Sequence, residues 1–185
     1  MKGEFEVRII LEQLPLSRTS VEALRTSDRY DAIVFTSNHA RAFFMQELRR
    51  RRFALPKRSR IIQVGPRADL LKFDLKNKRV LFPRSAIAPF DVVRALRTRG
   101  ATVRVIPLYT AKGAPLSQAQ KNKLLQGKVK QLYFKSPSGV RGFLGQFRGK
   151  GREVVRSIAA RCIGATTARA ARDAGMKKVS MGNVL

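Results

Sequence analysis

Two segments of this chain resemble each other at a separation of 99 residues. Phe35-Thr36-Ser37 matches Phe134-Lys135-Ser136, and a second phenylalanine, Phe44 or Phe143, follows the first by nine residues in each copy. Each copy comes directly after a short apolar run and before a helical pattern. A match of this kind indicates a duplicated unit of strand, turn and helix.

A second match occurs at the same separation. Val64-Gly65-Pro66 corresponds to Ile163-Gly164-Ala165, again between a predicted strand and an apolar helix. Because two independent matches share one spacing, the sequence predicts two similar lobes. The first lobe is predicted over residues 1–110 and the second over residues 111–185, with the connection marked by glycine and proline near the boundary.

Short apolar runs alternate with helical patterns along the chain, which is typical of parallel sheets with crossover helices. Strands are predicted at Val7–Leu11, Ala32–Thr36, Arg60–Val64, Arg79–Phe82, Thr102–Pro107, Gln131–Lys135, Ala160–Gly164 and Lys177–Ser180. Helices are predicted at Ser17–Thr26, Ser37–Arg51, Phe90–Arg99, Leu116–Leu125, Val140–Phe147 and Thr166–Ala174. The predicted fold class is therefore α/β.

The charge of the chain is strongly positive. There are 39 Lys and Arg against 12 Asp and Glu, which gives a formal net charge of +27. Residues 1–28 carry four basic and five acidic side chains, a net of −1, so the other 157 residues carry +28. A field of this strength attracts polyanions.

The basic residues form dense groups in predicted loops and at predicted helix ends, and we expect them to contact RNA phosphates. The predicted RNA-binding residues are Arg49, Arg50, Arg51, Arg52, Lys57, Arg58, Arg60, Lys121, Lys123, Lys128, Lys130, Arg148, Lys150 and Arg152. No named RNA-binding module is present in the sequence.

Several strand-end motifs, in their order, resemble the uroporphyrinogen-III synthase family. The motifs are Tyr30-Asp31-Ala32-Ile33-Val34-Phe35-Thr36-Ser37, Leu81-Phe82-Pro83-Arg84, Gly100 to Thr110, Phe134-Lys135-Ser136-Pro137-Ser138-Gly139-Val140 and Ile163-Gly164-Ala165-Thr166-Thr167-Ala168. The resemblance implies two flavodoxin-like lobes with parallel sheets. It also implies an enzyme that cyclises hydroxymethylbilane and inverts one pyrrole ring without metal or organic cofactor.

The same resemblance implies a set of site residues. Loops at the carboxyl ends of the strands would hold substrate carboxylates, largely through backbone N–H groups at helix starts. The implied substrate-binding residues are Thr36, Ser37, Ser136, Ser138, Thr166 and Thr167. Tyr109 would be the proton donor that assists loss of the leaving hydroxyl. From the residues alone, helix capping is the more frequent explanation of the serines and threonines, and hinge packing explains Tyr109 equally well.

The chain departs from the family pattern in three ways. Family members open with a strand and helix of the second lobe, and this chain is expected to begin beyond them and to end near the start of the last helix. Ala68 stands where a threonine is expected, Lys135 where a small or apolar residue is usual, and Arg41 where an aliphatic residue is usual. We therefore expect the second lobe to be incomplete, with catalysis lost.

Other chemistry has little support in the sequence. With His39 and Cys162 as the only histidine and cysteine, no metal-ligand spacing is formed, and neither a nucleophile triad nor a phosphate-binding glycine loop is present. No apolar stretch reaches the length needed to cross a bilayer, so we expect no membrane partner, no metal and no cofactor.

The sequence is compatible with three functions. The favoured one is a structural RNA-binding protein of an organellar, for example mitochondrial, ribosome, which contacts rRNA and neighbouring ribosomal proteins and has lost its catalytic activity. The alternative is an active uroporphyrinogen-III synthase acting on hydroxymethylbilane, with a cytoplasmic location also possible. The third is a regulator that associates with nucleic acid. The first is favoured because charge extends over both predicted lobes, beyond what a local substrate site needs.

Overall fold

A computed structural model of the chain describes residues 3–64, 72–147 and 149–183, so that Gly65, Pro66 and Ala68 lie outside the described residues. The strands within these ranges are β1 Glu4–Val7, β2 Ile9–Gln13, β3 Ala32–Phe35, β4 Arg60–Gln63, β5 Arg79–Ser85, β6 Thr102–Gly113, β7 Gln131–Phe134, β8 Ala159–Cys162 and β9 Val179–Met181. The α-helices are α1 Arg18–Arg25, α2 Asn38–Arg50, α3 Asp91–Thr98, α4 Gln118–Leu125, α5 Pro137–Leu144, α6 Gly151–Val155 and α7 Ala165–Asp173. The α/β class predicted from the sequence is confirmed.

The chain divides into two compact units. The central unit is Glu12–Thr110, and the terminal unit combines Met1–Leu11 with Ala111–Leu185. None of the helices in the described ranges is both long and apolar enough to span a bilayer.

The central unit is built on the sheet with strand order β2-β6-β5-β3-β4. The pairs β6–β5, β5–β3 and β3–β4 are parallel. All four residues of β3 are buried, as expected for a strand covered on both faces. Val80 and Phe82 of β5 pack with Val93 and Leu96 of α3 on one face of the sheet.

The terminal unit contains a second sheet with the order β1-β7-β8-β9. All three of its strand pairs are parallel. Its core joins Phe134 of β7 to Phe143 of α5 and Ala168 of α7. Parallel strands connected by helices place the carboxyl ends of the strands at one edge of each sheet, which is where ligands bind in folds of this type.

The repeat in the sequence corresponds to equivalent packing in the two units. The Phe35 and Phe44 rings pack edge to face with centroids 5.4 Å apart. The Phe134 and Phe143 rings also pack edge to face, with centroids 6.0 Å apart. In each unit, this contact holds the helix that follows the strand against the sheet, and all four rings are almost completely buried.

The structure divides the chain differently from the sequence near its beginning. We expected residues 1–110 to form the first lobe and the opening strand of the second lobe to be missing. Glu4–Val7 instead forms β1, which pairs in parallel with Gln131–Phe134. This pairing buries Val7 in the terminal core, so residues 1–11 belong with residues 111–185. The predicted single strand Val7–Leu11 is accordingly two strands that meet at Arg8.

Candidate active site

Ser37 follows β3 and begins α2 in the central unit. Its backbone is extended, and its Oγ accepts a hydrogen bond of 3.0 Å from the backbone N–H of Ala40. This is a helix cap, so the capping role expected for Ser37 is present. Thr36 and Ser37 are both partly exposed. The remaining N–H groups of the first turn of α2 favour an anion at this position.

Tyr109 lies on β6, two strands away from β3, and its hydroxyl is 3.1 Å from Ser37 Oγ. Its ring stacks on Phe43 of α2 with centroids 4.8 Å apart and an interplanar angle of 13°. His39 is exposed, and its ring centroid is 6.4 Å from that of Tyr109. Stacking and hydrogen bonding therefore fix the Tyr109 hydroxyl at the carboxyl edge of the central sheet, beside the start of α2.

Ser136 occupies in the terminal unit the position that Ser37 occupies in the central unit. It follows β7, has nearly the same extended backbone, and its Oγ accepts a 3.0 Å hydrogen bond from the N–H of Gly139. Ser138 Oγ lies 2.9 Å from Ser136 Oγ. Two partly exposed hydroxyls thus stand at the start of α5, where backbone N–H groups also face outward.

A hollow of about 390 Å³ opens beside this helix start, at the carboxyl ends of β1 and β7. It is lined by Glu6, Val7, Arg8, Ile9, Lys135 and Ser136. Lys135 Nζ forms an ion pair of 2.9 Å with Glu6 Oε1. Arg8 is exposed. Beside the Lys135–Glu6 ion pair, the hollow presents the Arg8 side chain, a serine hydroxyl and a helix N-terminus, and these groups suit a carboxylate.

Thr166 and Thr167 lie in the first turn of α7, after β8. Thr166 is exposed, whereas Thr167 is only 2% exposed and its backbone N–H bonds to Gly164 O at 3.1 Å. Because β8 pairs with β7, this turn follows the strand next to Ser136 in the same sheet. Of the two threonines, Thr166 is the one accessible to a ligand.

The sequence did not predict a functional role for Arg84 and Ser85, which lie at the end of β5. The guanidinium of Arg84 is buried, and neither of its terminal nitrogens has a hydrogen-bond partner among the described residues. The signal available in the sequence was a charged residue directly after the apolar run Leu81-Phe82-Pro83. A charge at that position of a strand is usually exposed to solvent.

The predicted RNA-binding residues are spread over several elements of both units. Arg50 and Arg51 form ion pairs of 2.9 and 2.8 Å with the buried carboxylate of Glu47. Arg60 lies over the Phe73 ring at 5.1 Å. In the central unit the set is Arg49, Arg50, Arg51, Arg52, Lys57, Arg58 and Arg60, and in the terminal unit it is Lys121, Lys123, Lys128, Lys130, Lys150 and Arg152, while Arg148 lies outside the described residues.

Comparison with known proteins identifies the family. The family model described as uroporphyrinogen-III synthase HemD matches residues 68–182, more than half of the chain. The chain belongs to this family. The porphyrin biosynthesis protein HemD of Ruminiclostridium josui is 32% identical over 105 residues, which cover 56% of this chain and 20% of that protein. The chain thus spans about a fifth of the length of this curated relative.

Solved uroporphyrinogen-III synthases share the fold. A mutant enzyme of Thermus thermophilus superposes with a TM-score of 0.60 and 21% identity, covering 93% of this chain and 80% of that one. The uroporphyrinogen-III synthetase of Helicobacter pylori gives a TM-score of 0.60 at 18% identity, covering 98% and 92%. The predicted α/β fold with parallel sheets is that of uroporphyrinogen-III synthase.

The prediction of a ribosomal RNA-binding protein is wrong. The matching family and the curated relative are named for uroporphyrinogen-III synthesis and porphyrin biosynthesis. The prediction of rRNA and neighbouring ribosomal proteins as partners is wrong for the same reason. The prediction relied on the positive net charge, which indicates that a partner is negatively charged but does not identify that partner. The solved relatives are named as enzymes, so the family gives no support to the predicted loss of catalysis.

Proposed function

We propose that this chain is a uroporphyrinogen-III synthase, which closes hydroxymethylbilane into a macrocycle with inversion of one pyrrole ring. The observation that carries the proposal is the placement of the Tyr109 hydroxyl, 3.1 Å from Ser37 Oγ at the edge of the sheet where this fold binds ligands. Membership of the HemD family supplies the reaction.

Tyr109 is the proton donor in this proposal. Ring closure requires loss of a hydroxyl group from the linear substrate, and a positioned acid assists that loss by protonating the leaving oxygen. The 13° stack on Phe43 fixes the plane of the Tyr109 ring. Ser37 Oγ, which also caps α2, fixes the direction of the phenol hydroxyl. Orientation of this kind lowers the barrier because the acid does not have to be ordered during the reaction.

Helix starts and hydroxyls hold the substrate carboxylates. In the central unit these are Thr36 and Ser37 at the start of α2. In the terminal unit they are Ser136 and Ser138 at α5 and Thr166 at α7. Neutral donors orient a carboxylate without the desolvation cost of a second buried charge. Because Thr167 is buried, it takes part in substrate binding only through its backbone in the first turn of α7, and its hydroxyl does not contact the substrate.

The net charge of +27 serves the same substrate. Hydroxymethylbilane is a polycarboxylate, and a strongly positive protein attracts such a molecule over distances comparable with the Debye length, about 8 Å at physiological ionic strength. The basic surface then raises the rate of encounter, and the local donors determine how the substrate is held.

A coupled assay tests the proposal. The purified chain is added to porphobilinogen and the preceding enzyme of the pathway, and the products are oxidised and separated as porphyrin isomers. We expect the type III isomer in an amount that rises with the concentration of the chain. Formation of the type I isomer alone, as in the reaction without the chain, would contradict the proposal.

A further inference from the structure

Arg84 is a buried cation whose two terminal nitrogens have no hydrogen-bond partner in the part of the chain that the structure describes. Strand alternation places it on the same face of β5 as Val80 and Phe82, which pack against α3. The residue is 2% exposed, and its Nε donates a hydrogen bond of 3.1 Å to Ser85 O. Nη1 and Nη2 have no hydrogen-bond partner among the described residues, and the same is true of Ser85 Oγ.

An arrangement of this kind is costly for the folded protein. Arginine stays charged in proteins, and a buried charge without a counter-ion loses its hydration without compensation. Burial lowers the pKa of Arg84, and the nearby Tyr109 acts in the opposite direction. Buried polar groups in native proteins are nearly always satisfied, so the N–H groups of Nη1 and Nη2 require an acceptor other than the described residues.

Phe90 covers the face of the guanidinium. The Arg84 Cζ lies 4.2 Å from the centre of the Phe90 ring, in cation–π geometry. This contact uses the face of the guanidinium and leaves the N–H groups of Nη1 and Nη2 without an acceptor among the described residues. Phe90 itself is 54% exposed, an unusual position for a large apolar side chain that touches a buried charge. Phe90 therefore stands between solvent and one face of the buried guanidinium.

The neighbouring strand connects this position to the candidate proton donor. Arg84 is paired with Pro107 and Ser85 with Tyr109, across an irregularity in the register of β5 and β6. Arg84, Ser85 and Tyr109 therefore stand at the same edge of the central sheet. A group held by Arg84 therefore lies at the sheet edge that also carries Tyr109.

We propose that Arg84 and Ser85 form a subsite that binds one carboxylate of the tetrapyrrole substrate, with Phe90 as its cover. The assignment of the ligand rests on the function proposed above. A carboxylate fits because its two oxygens match the two parallel N–H donors of a guanidinium edge, and the Ser85 hydroxyl supplies a third donor. The subsite anchors one substrate side chain and so positions the reacting ring near Tyr109.

Binding measurements test the subsite without using turnover. Uroporphyrin III, a stable polycarboxylate, is titrated into the wild-type chain and into Arg84→Met at about 0.15 M salt, so that long-range attraction is screened. We expect the affinity to fall about tenfold to a hundredfold, the loss typical of charge-assisted hydrogen bonds. Because Met removes an unpaired buried charge and fills a similar volume, the melting temperature of the ligand-free variant should be equal to or above that of the wild type.

Arg79→Met is the matched control. Arg79 is the first residue of the same strand, is exposed, and lies over Tyr30 at 5.3 Å. The Arg79→Met variant changes the net charge by the same amount at the other end of β5. We expect the affinity of this variant for uroporphyrin III to remain within twofold of wild type. Ser85→Ala should weaken binding severalfold without affecting the fold.

Two results would overturn the subsite. One is equal loss of affinity in Arg84→Met and Arg79→Met, which would indicate only general attraction of a polyanion. The other is protection against thermal unfolding by inorganic phosphate that exceeds protection by propionate and is lost in Arg84→Met, since the subsite is assigned to a carboxylate. Failure of the proposed function is seen separately, as absence of the type III isomer in the coupled assay, and does not enter these measurements.

Discussion

The hydroxyls of Ser37 and Tyr109 lie 3.1 Å apart, although 72 residues separate them in the chain. Ser37 caps the helix that follows β3, and Tyr109 lies on β6 of the same sheet, so the fold itself determines their separation. Tyr109→Phe keeps the stack on Phe43 and removes only the hydroxyl. We expect formation of the type III isomer to fall about a hundredfold or more, as for loss of a general acid, with KM nearly unchanged.

The control for this variant is Tyr30→Phe, which removes a phenol hydroxyl elsewhere in the central unit. We expect it to retain wild-type turnover, since Tyr30 contacts Arg79 through its ring. Loss of the Tyr109 hydrogen bond should lower the free energy of unfolding by only about 1 kcal/mol. If Tyr109→Phe turned over as fast as Tyr30→Phe, Tyr109 would not be the proton donor.

Ser37→Ala and Ser136→Ala remove equivalent caps in the two units. Each should lower the free energy of unfolding by about 1 kcal/mol, because an N–H group at a helix start loses its acceptor. Ser17→Ala, which removes the cap of α1, should cost a similar amount. We expect turnover to fall for Ser37→Ala and Ser136→Ala and to remain unchanged for Ser17→Ala. Equal turnover in all three variants would show that Ser37 and Ser136 act only as helix caps.

The parts of the fold that depend on local pattern were predictable from the sequence. The repeat at 99 residues predicted equivalent packing in two units, and Phe35, Phe44, Phe134 and Phe143 confirm it. Predicted strands and helices agree with the structure to within a few residues for most elements. Short α6 was not predicted, because five residues carry too little periodicity.

Features that depend on distant residues could not be predicted in this way. The pairing of Glu4–Val7 with Gln131–Phe134 joins segments more than 120 residues apart. The ion pairs of Glu47 with Arg50 and Arg51 are local, at spacings of three and four residues, but the burial of Glu47 depends on packing against distant parts of the chain. Burial of Arg84 depends on packing by other elements, and its position directly after the apolar run Leu81-Phe82-Pro83 does not specify it.

Gly113 and Gly142 make a close backbone contact within the terminal unit. A Cβ at Gly142 would lie 2.4 Å from the N atom of Gly113, nearer than side-chain carbons approach backbone atoms. Gly142→Ala should therefore force the segments apart and lower the free energy of unfolding by about 2 kcal/mol or more. Gly145→Ala is the matched control, because nothing lies within 4 Å of a Cβ there. Chemical denaturation measures the free energy of unfolding of both variants. Equal values for Gly142→Ala and Gly145→Ala would show that the two segments can move apart without cost.

Glu47 gives the stability of the central unit a defined dependence on pH. Its side chain is buried on α2 and accepts hydrogen bonds from Gln13, Arg50 and Arg51. Burial opposes ionisation, but the two arginines outweigh it and hold the pKa of Glu47 below its ordinary value of 4.5. A carboxyl group with a lowered pKa stabilises the fold above its unfolded pKa, and this contribution is lost as the pH falls through the folded pKa.

Glu47→Gln should therefore lower the free energy of unfolding by about 2 kcal/mol at pH 7, since the charge-assisted bonds to two arginines are lost. The difference from wild type should stay constant down to about pH 4.5 and narrow below it, because the wild-type carboxylate then becomes protonated. Urea denaturation over this pH range measures the difference. Glu22→Gln is the control: Glu22 forms an exposed pair with Arg25 at 2.8 Å, and we expect no measurable change in the unfolding midpoint. A difference between wild type and Glu47→Gln that does not narrow at low pH would show that Glu47 contributes through packing and not through its charge.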